Sequence, residues 1–371
     1  MTILVAALAL VVVAMGVAPS AWAQAGFYVT PSFAIAEEYD DNVFVSSVSP
    51  QSDFITRFTP GIALGYRSEP FTLLVSSSID AEIYAENTEL SNVANRKRAA
   101  LDLKYLPYRL LTLGLDVKYF ETNTPGELVP TTGLQLTRTQ GTELDVTPSA
   151  TYQITAVDTA RSSYEFTRYT LEGSPDSIVH HVRLGYSHQF TPVDTGSIGY
   201  RLAIFTTQDF PNTITNTPTL GWVHRFSPNT VLTLEAGPRF VDDGSVEPEA
   251  HVGFEHTFKL AKVGFDFLRT EGVVVGRAGK VEIESVTGFI EATPLKALTV
   301  RFEPGWYRTF DGIDPTANVY GFALSGVYQI QRWLAAHLTY RFAHQDQVGA
   351  TLSHNIVTLG LDASYPIRVS P

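Results

Sequence analysis

From residue 27 onward, apolar and polar side chains alternate in stretches of about ten to fifteen residues, the two-residue period of a strand with unlike faces. Leu111-Thr-Leu-Gly-Leu-Asp-Val-Lys-Tyr119 shows the pattern. Leu111, Leu113, Leu115, Val117 and Tyr119 point one way, and Thr112, Gly114, Asp116 and Lys118 the other. The same reading covers Leu144 to Ile154, Val182 to Phe190, Leu232 to Phe240, Leu334 to Phe342 and Val357 to Tyr365. A soluble sandwich alternates as well. Strands this long, repeated along the whole chain behind an export signal, point instead to a transmembrane antiparallel up-and-down β-barrel.

Residues 1–23 read as a secretory signal. Ile3 to Val17 is apolar or small throughout, too short for a membrane-spanning helix, which needs about 20 residues. Ala21-Trp22-Ala23 supplies the small-x-small cleavage pattern and leaves Gln24 as the expected new N-terminus. The n-region carries no Lys or Arg, so only the α-amino group supplies its positive charge. Residues 24–371 then form a single barrel domain.

The chain has no Cys, and both its Met residues, Met1 and Met15, lie in the signal. Such a chain is expected to fold without disulfides or thiol-bound metals, and the absence of Cys argues against a lipoprotein anchor. The 22 Phe and 17 Tyr suit interfacial girdles. A net charge of −12 argues against nucleic acid as a partner.

About 18 strands (16–18) are expected, joined by alternately short and long connections. The short ones include Ser68-Glu-Pro70, Thr155-Ala-Val-Asp158, Thr191-Pro-Val-Asp194 and Ser227-Pro-Asn-Thr230. Pro presets φ in such turns, and Asp or Asn caps its own backbone. Longer connections run from Glu37 to Ser52, Glu121 to Thr137, Glu271 to Gly279 and Asp311 to Asn318. Short turns are periplasmic and long loops external in outer-membrane barrels, and an even strand count returns both chain ends to one rim. Thr59-Pro60, Thr147-Pro148, Thr217-Pro218 and Glu247-Pro248 fall early in their strands. Proline has no N–H for a ladder, which places them near a rim where pairing thins.

Val29-Thr-Pro-Ser-Phe33, Glu37-Glu-Tyr-Asp-Asp-Asn-Val-Phe44 and Asp53-Phe-Ile-Thr-Arg-Phe-Thr-Pro-Gly-Ile62 resemble the β-barrel porins associated with exopolysaccharide gene clusters. The turn in Phe226-Ser-Pro-Asn-Thr-Val-Leu-Thr-Leu234 resembles theirs too. The likeness spans most of the mature chain and carries over no catalytic residues. It implies a Gram-negative outer-membrane barrel that passes hydrophilic solute or polymer, with exopolysaccharide export as the specific function. The implied partners are outer-membrane lipid, lipopolysaccharide and polysaccharide-secretion proteins. One departure is the C-terminus: such barrels end on an aromatic residue, whereas here Tyr365 is followed by Pro-Ile-Arg-Val-Ser-Pro371.

If the aromatic rows face lipid, the opposite rows line the lumen. They carry Arg57, Arg183, Arg201, Arg225, Arg239, Arg301 and Arg341, with Asp80, Asp116, Asp145, Glu165, Glu235, Glu255, Asp266 and Glu303. Collectively these make a wet, mixed-charge wall that sets selectivity in a passive channel; singly, each is expected to pair across the lumen. Glu121 to Thr137 is the expected constriction. A barrel plugged by that loop, serving as a docking scaffold for an envelope assembly, is the alternative.

No metal, cofactor or catalytic site is expected. Glu37, Glu38, Asp40, Asp41 and Asp53 lack the D-x-D-x-D-G calcium frame and read as a solvated loop. His180 and His181 point to opposite faces. No G-x-S-x-G or H-E-x-x-H occurs. Gly276-Arg-Ala-Gly-Lys280 fails as a phosphate loop and reads as an external turn.

Overall fold

The computed structural model describes residues 26–310 and 315–369; the signal-peptide reading of residues 1–23 lies outside them. The described chain closes into an 18-strand antiparallel barrel. Its strands are β1 (Gly26–Asp40), β2 (Asp53–Arg67), β3 (Phe71–Tyr84), β4 (Asn92–Tyr108), β5 (Leu111–Thr122) and β6 (Gly141–Gln153). Next come β7 (Asp158–Leu171), β8 (Ser177–Gln189), β9 (Asp194–Thr207), β10 (Thr213–Ser227), β11 (Thr230–Val241) and β12 (Val246–Thr257). The last are β13 (Ala261–Gly272), β14 (Val281–Leu295), β15 (Leu298–Phe310), β16 (Pro315–Gln331), β17 (Leu334–Gln347) and β18 (Ala350–Ser364). A two-residue strand, β19 (Ile367–Arg368), follows.

Each long strand pairs with the next, and the ring closes where β1 meets β18, from Ser32 opposite Ser364 to Asp40 opposite Ile356. In lipid an unpaired backbone N–H or C=O has no water to bond, so a sheet survives there only when it has no edge. The tail after Tyr365 continues the seam. Pro366 interrupts it, and β19 then pairs with Tyr28 and Val29 at the start of β1.

Two corrections concern boundaries. The first strand runs on to Asp40, so Glu37, Glu38 and Asp40 belong to the sheet and not to a loop. β16 begins at Pro315, inside the expected loop from Asp311 to Asn318.

Three of the four prolines also depart from expectation, because they lie well inside their strands, whereas Pro248 is the third residue of β12. Pro60 sits opposite Phe33, Pro148 opposite Leu115 and Pro218 opposite Tyr200. Each keeps one neighbour, while pairing to the other strand lapses beside it: between Phe58 and Gly61, Val146 and Ser149, and Asn216 and Leu220. That is the side on which a missing N–H is felt. At Gly237 the loosened ladder brings the carbonyl oxygen of Pro218 within 1.9 Å of where a Cβ would stand, so only glycine fits.

Pairing transfers the two-residue period from strand to strand. Leu113 stands opposite Tyr105 and Ala150, while Asp116 stands opposite Asp102 and Thr147. The face sharing the row of Leu113 is exposed and apolar, with Phe33, Ile198, Leu220, Leu338 and Leu359 on it. Polar and aromatic pairs border this band. Near the long-loop rim Tyr164 lies 2.8 Å from His180, and the Tyr200 hydroxyl donates to Asn216 (2.6 Å). Near the short-turn rim Tyr186 donates to Asp158 (2.5 Å), which also lies 2.7 Å from His188. Trp222 and His224 hold Asp194 in the same way. Strand rise and tilt put His180 and His188 about 20 Å apart along the barrel axis, close to the lipid-facing band of such barrels.

The phase of β5 is testable. Leu113→Arg should impair assembly, because a cation near the bilayer midplane on the lipid face of a barrel costs about 2–4 kcal/mol. Thr112→Arg, on the row of Asp116, should assemble normally. Heat-modifiable migration of the folded barrel on gels reads both, and equal damage would reverse the faces of this strand.

Candidate functional site

The interior is occupied at its long-loop end. The connection between β5 and β6 carries two short 3-10 turns, Pro125–Leu128 and Pro130–Thr132. It crosses the bore and touches strands all round the wall. Leu128 and Val129 pack with Val179 of β8 and Ala203 and Phe205 of β9. Leu134 packs with Ile283 of β14 and Ala317 and Val319 of β16. The Gln135 backbone N–H donates to the side-chain oxygen of Gln345 on β17 (2.7 Å), and the Gln135 side chain lies 3.0 Å from His354 of β18. A loop reaching from β4 to β18 inside a closed ring identifies the row it touches as the inner face.

Two further segments join it. The connection between β13 and β14, read from sequence as an external turn, sends Val273, Val274 and Val275 inward into the same apolar clusters. Gly276 (φ 82°) and Gly279 (φ 76°) make its reversal, and the Gly279 N–H donates to Thr207 across the bore (3.1 Å). The connection after β1 turns inward as well. Val43 packs on Ile55 and Tyr84, and the Arg138 N–H reaches the Phe44 carbonyl (3.5 Å). The first loop is therefore not a solvated acidic stretch: Glu38, Asp40 and Asp53 are all buried.

Ion pairs fasten these segments to the wall. Glu82 of β3 is 1% exposed and is the hub of one network. Arg57 bonds Glu82 and Glu38 (both 2.9 Å), Arg96 bonds Glu82, and Asn95 and Tyr84 donate to it at 2.6 and 3.0 Å. From the loop, Arg138 approaches Glu82 (3.9 Å), and Glu127 accepts two bonds from Arg96 (3.0 and 2.9 Å). Burial works against an ionised Glu127, but the Arg96 charge and the bonds from Arg96 and Thr122 hold its pKa down at about 2. Asp80 pairs with Arg98 on the same wall (3.0 Å).

A second network lies on β9 to β13. Arg239, fully buried, meets Glu247 (3.0 Å), Glu249 and Glu271 (3.5 Å). Arg201 joins Glu249 and Glu271 at 2.7 and 3.6 Å. Lys280, at the end of the inturned second segment, reaches Glu247 (2.6 Å).

The remaining candidate residues are spread along the wall. Glu165 bonds Arg183 (2.6 Å) and lies 3.1 Å from His181, while Asp145 accepts from Thr147 and Thr167. Asp116 faces Asp102. Asp266 contacts His251 (2.6 Å), Glu255 contacts Lys262 (2.7 Å), and Glu235 stands opposite His251. Arg301 bridges Glu291 and Glu303 (3.0 and 2.9 Å). Arg225 sits beside the short turn after β10, opposite Val231. Arg341 makes no ion pair or hydrogen bond among the described residues.

Sequence reasoning passes over Glu82, Arg96, Glu127, Glu249 and Glu271, and reads Glu38 only as part of a solvated loop. Glu82 has a visible signal, since it lies two residues from Asp80 on the same row. Glu127 has none, because its role depends on where the loop docks. As for metals, Asp40, Asp41 and His354 bring their ligand atoms within 4.8 Å of one another. Their atoms are engaged already: His354 with Asp40 (2.7 Å) and Gln135, and Asp41 with Asn355 (2.6 Å).

No family model matches the sequence, and neither does any curated protein. Solved structures do match the fold. Acinetobacter baumannii OccAB4 superposes with a TM-score of 0.52 at 10% identity, covering 92% of this chain and 98% of that one. Pseudomonas aeruginosa OccK9 (OpdG) gives 0.51 at 14% identity over 92% and 98% of the two chains. Pseudomonas aeruginosa OccK7 (OpdD) gives 0.51 at 11% over 94% and 100%. The chain therefore has the Occ porin fold.

Glu127→Gln should free the loop while sparing the barrel. Hydrogen bonds to a charged group are worth about 1.5–3 kcal/mol, so amide exchange in residues 123–140 should quicken by roughly tenfold or more. The sign with pH follows from a lowered pKa. The contribution of Glu127 is complete above the ordinary carboxylate range and is lost only as pH falls towards about 2. Exchange in this loop should thus stay slow at pH 4 in the parent, and loosening already at pH 4 would contradict the assignment.

Proposed function

We propose that this protein is a channel of the Gram-negative outer membrane that passes hydrophilic solutes by diffusion, with the inturned loop of residues 123–140 as its constriction. The supporting observation is that loop's course: it crosses an 18-strand bore, a size that otherwise leaves an aqueous channel. Around it the wall is polar and carries charges of both signs, the setting in which lumen width and lining groups select what passes. The fold shared with the Occ structures agrees with this reading. The chain works without a cofactor, and no residue is assigned a catalytic role. Its surroundings are lipid, with lipopolysaccharide in the outer leaflet.

Exopolysaccharide export, implied by the resemblance of the first strands, is the finer reading. It requires the loops to move aside, since a polymer is wider than a small solute. The apolar clusters between the loops favour a second reading, a plugged barrel that docks an envelope assembly.

Deleting residues 124–136 separates these readings. The flanking strands are spared, and shortening a loop changes closure entropy only modestly. In planar bilayers the parent should show discrete conductance steps, and the deletion variant larger ones. A folded variant with unchanged steps would remove this loop as the constriction, and silence of both proteins would favour the scaffold. Orientation is checked separately. A tag between Pro211 and Asn212 should be reached by antibody on intact cells, and one between Pro228 and Asn229 should not.

A further inference from the structure

The outer face of the barrel carries its cations at one end only. Among the described residues, the strand Lys and Arg side chains that face outward are Lys97, Arg168, Arg269 and Arg308, each within five residues of the long-loop end of its strand. Their sequence neighbours fix the direction, because these face the bore. Arg96 bonds Glu127 of the loop, Thr167 bonds Asp145, Thr270 bonds Glu249, and Tyr307 packs on the cluster of Leu134. Near the short turns the outward charges are instead Asp158 and Asp194, each held by a His.

Three of the four cations are taken up by carboxylates. Lys97 bonds Glu121 (2.6 Å), Arg168 bonds Asp176 (2.7 Å), and Arg269 bonds both Glu282 (2.5 Å) and Glu284 (2.9 Å). Arg308 differs. It stands in a single register row, Arg269, Glu284, Arg308, Asn318 and Asp346, across β13 to β17. Glu284, held by Arg269, stays 3.9 Å from Arg308, and Asp346 accepts from Thr351 (3.1 Å). The Arg308 Nε–H donates to Asn318 (3.0 Å), and the guanidinium lies over the rings of Trp306 (4.9 Å) and Phe310 (5.6 Å). Bond and rings fix its plane, while its two terminal nitrogens donate no hydrogen bond among the described residues. The next outward row towards the midplane is Phe267, Val286, Trp306 and Tyr320, without a charge. A cation on a lipid-facing surface is tolerated where an anion or water meets it, and a guanidinium fork matches phosphate oxygens.

Resting on the reading that the long loops face outward in the outer membrane, we infer that Arg308 binds a phosphate of lipopolysaccharide, with the acyl chains of that lipid lying on the apolar row of Trp306. The fork supplies the donors, the rings hold it in place, and the shelf below takes the tails.

The test titrates the folded barrel in detergent with lipid A, with dephosphorylated lipid A and with inorganic phosphate, bound lipid being counted by native mass spectrometry. The parent should bind the phosphorylated lipid about fivefold more tightly or better, since charge-assisted bidentate bonds are the strong ones. Arg308→Gln should lose that preference, and Arg308→Lys, a point charge without the fork, should keep part of it. Arg301→Gln, which faces the bore from the same strand, should leave it unchanged. Heat-modifiable migration verifies that each variant is folded. The inference fails if the parent binds both lipids equally, a comparison that needs no variant, or if folded Arg308→Gln keeps the preference. Inorganic phosphate that displaces lipid A at millimolar concentration would assign Arg308 to the free anion and overturn the lipid. A reversed tag pattern on intact cells would defeat the orientation beneath this inference, whereas a correct pattern with any of these negative titrations defeats the inference alone.

Discussion

Every other property of this molecule depends on the pairing of its backbone. A chain that crosses lipid as strands must satisfy each N–H and C=O against a neighbour, and only a closed ring does so for all of them. The seam between β1 and β18 is therefore the contact that makes the rest possible. It also explains how mid-strand prolines are tolerated. Pro60, Pro148 and Pro218 each stay paired on one side and lapse on the other, so the deficit stays local. With the backbone satisfied by the ring, inner side chains are free to be charged, because they face water and one another.

Those charges do more than keep the interior wet. Glu82 and Arg239 each gather several partners from neighbouring strands, and an inturned segment reaches each network, Arg138 at Glu82 itself and Lys280 at Glu247, a partner of Arg239. Removing one partner from a buried set strands the others, which is costlier than the pair is worth. The segments are thus held by electrostatics at their ends and by apolar packing in between. Burying a Leu or Val fully contributes about 1.5–3 kcal/mol, and Leu128, Leu134, Val273, Val274 and Val275 are all buried. The barrel encloses a small hydrophobic core of its own, separate from the lipid-facing surface.

Much of the fold was legible in the residues, because a strand period of two is a local signal. Leu111 to Tyr119 shows its phase without any knowledge of its neighbours, and Pro192-Val193-Asp194 announces its turn. What was not legible depended on distant contacts. The acids of the first loop read as solvated because nothing nearby in sequence says that Arg57 and His354 will cover Glu38 and Asp40. Val273-Val-Val275 looks like any short apolar run, and its burial inside the bore requires Leu128 and Leu134 from a loop well over a hundred residues earlier. Pro60, Pro148 and Pro218 were misplaced because a ladder with one loose side leaves no trace in the sequence.

The short strand after Tyr365 has a consequence for how the molecule comes into being. Tyr28 and Val29 are held by Arg368 and Ile367, so the first residues of the ring wait for almost the entire chain before they find this partner. Contacts this far apart in sequence slow folding, since the chain must be drawn together before they repay it. Until then β1 and the growing end of the sheet are open edges, templates for joining a second chain as readily as for closing the first. Closure is consequently a late event, and the interval before it is the period in which the protein most needs keeping apart from its own copies.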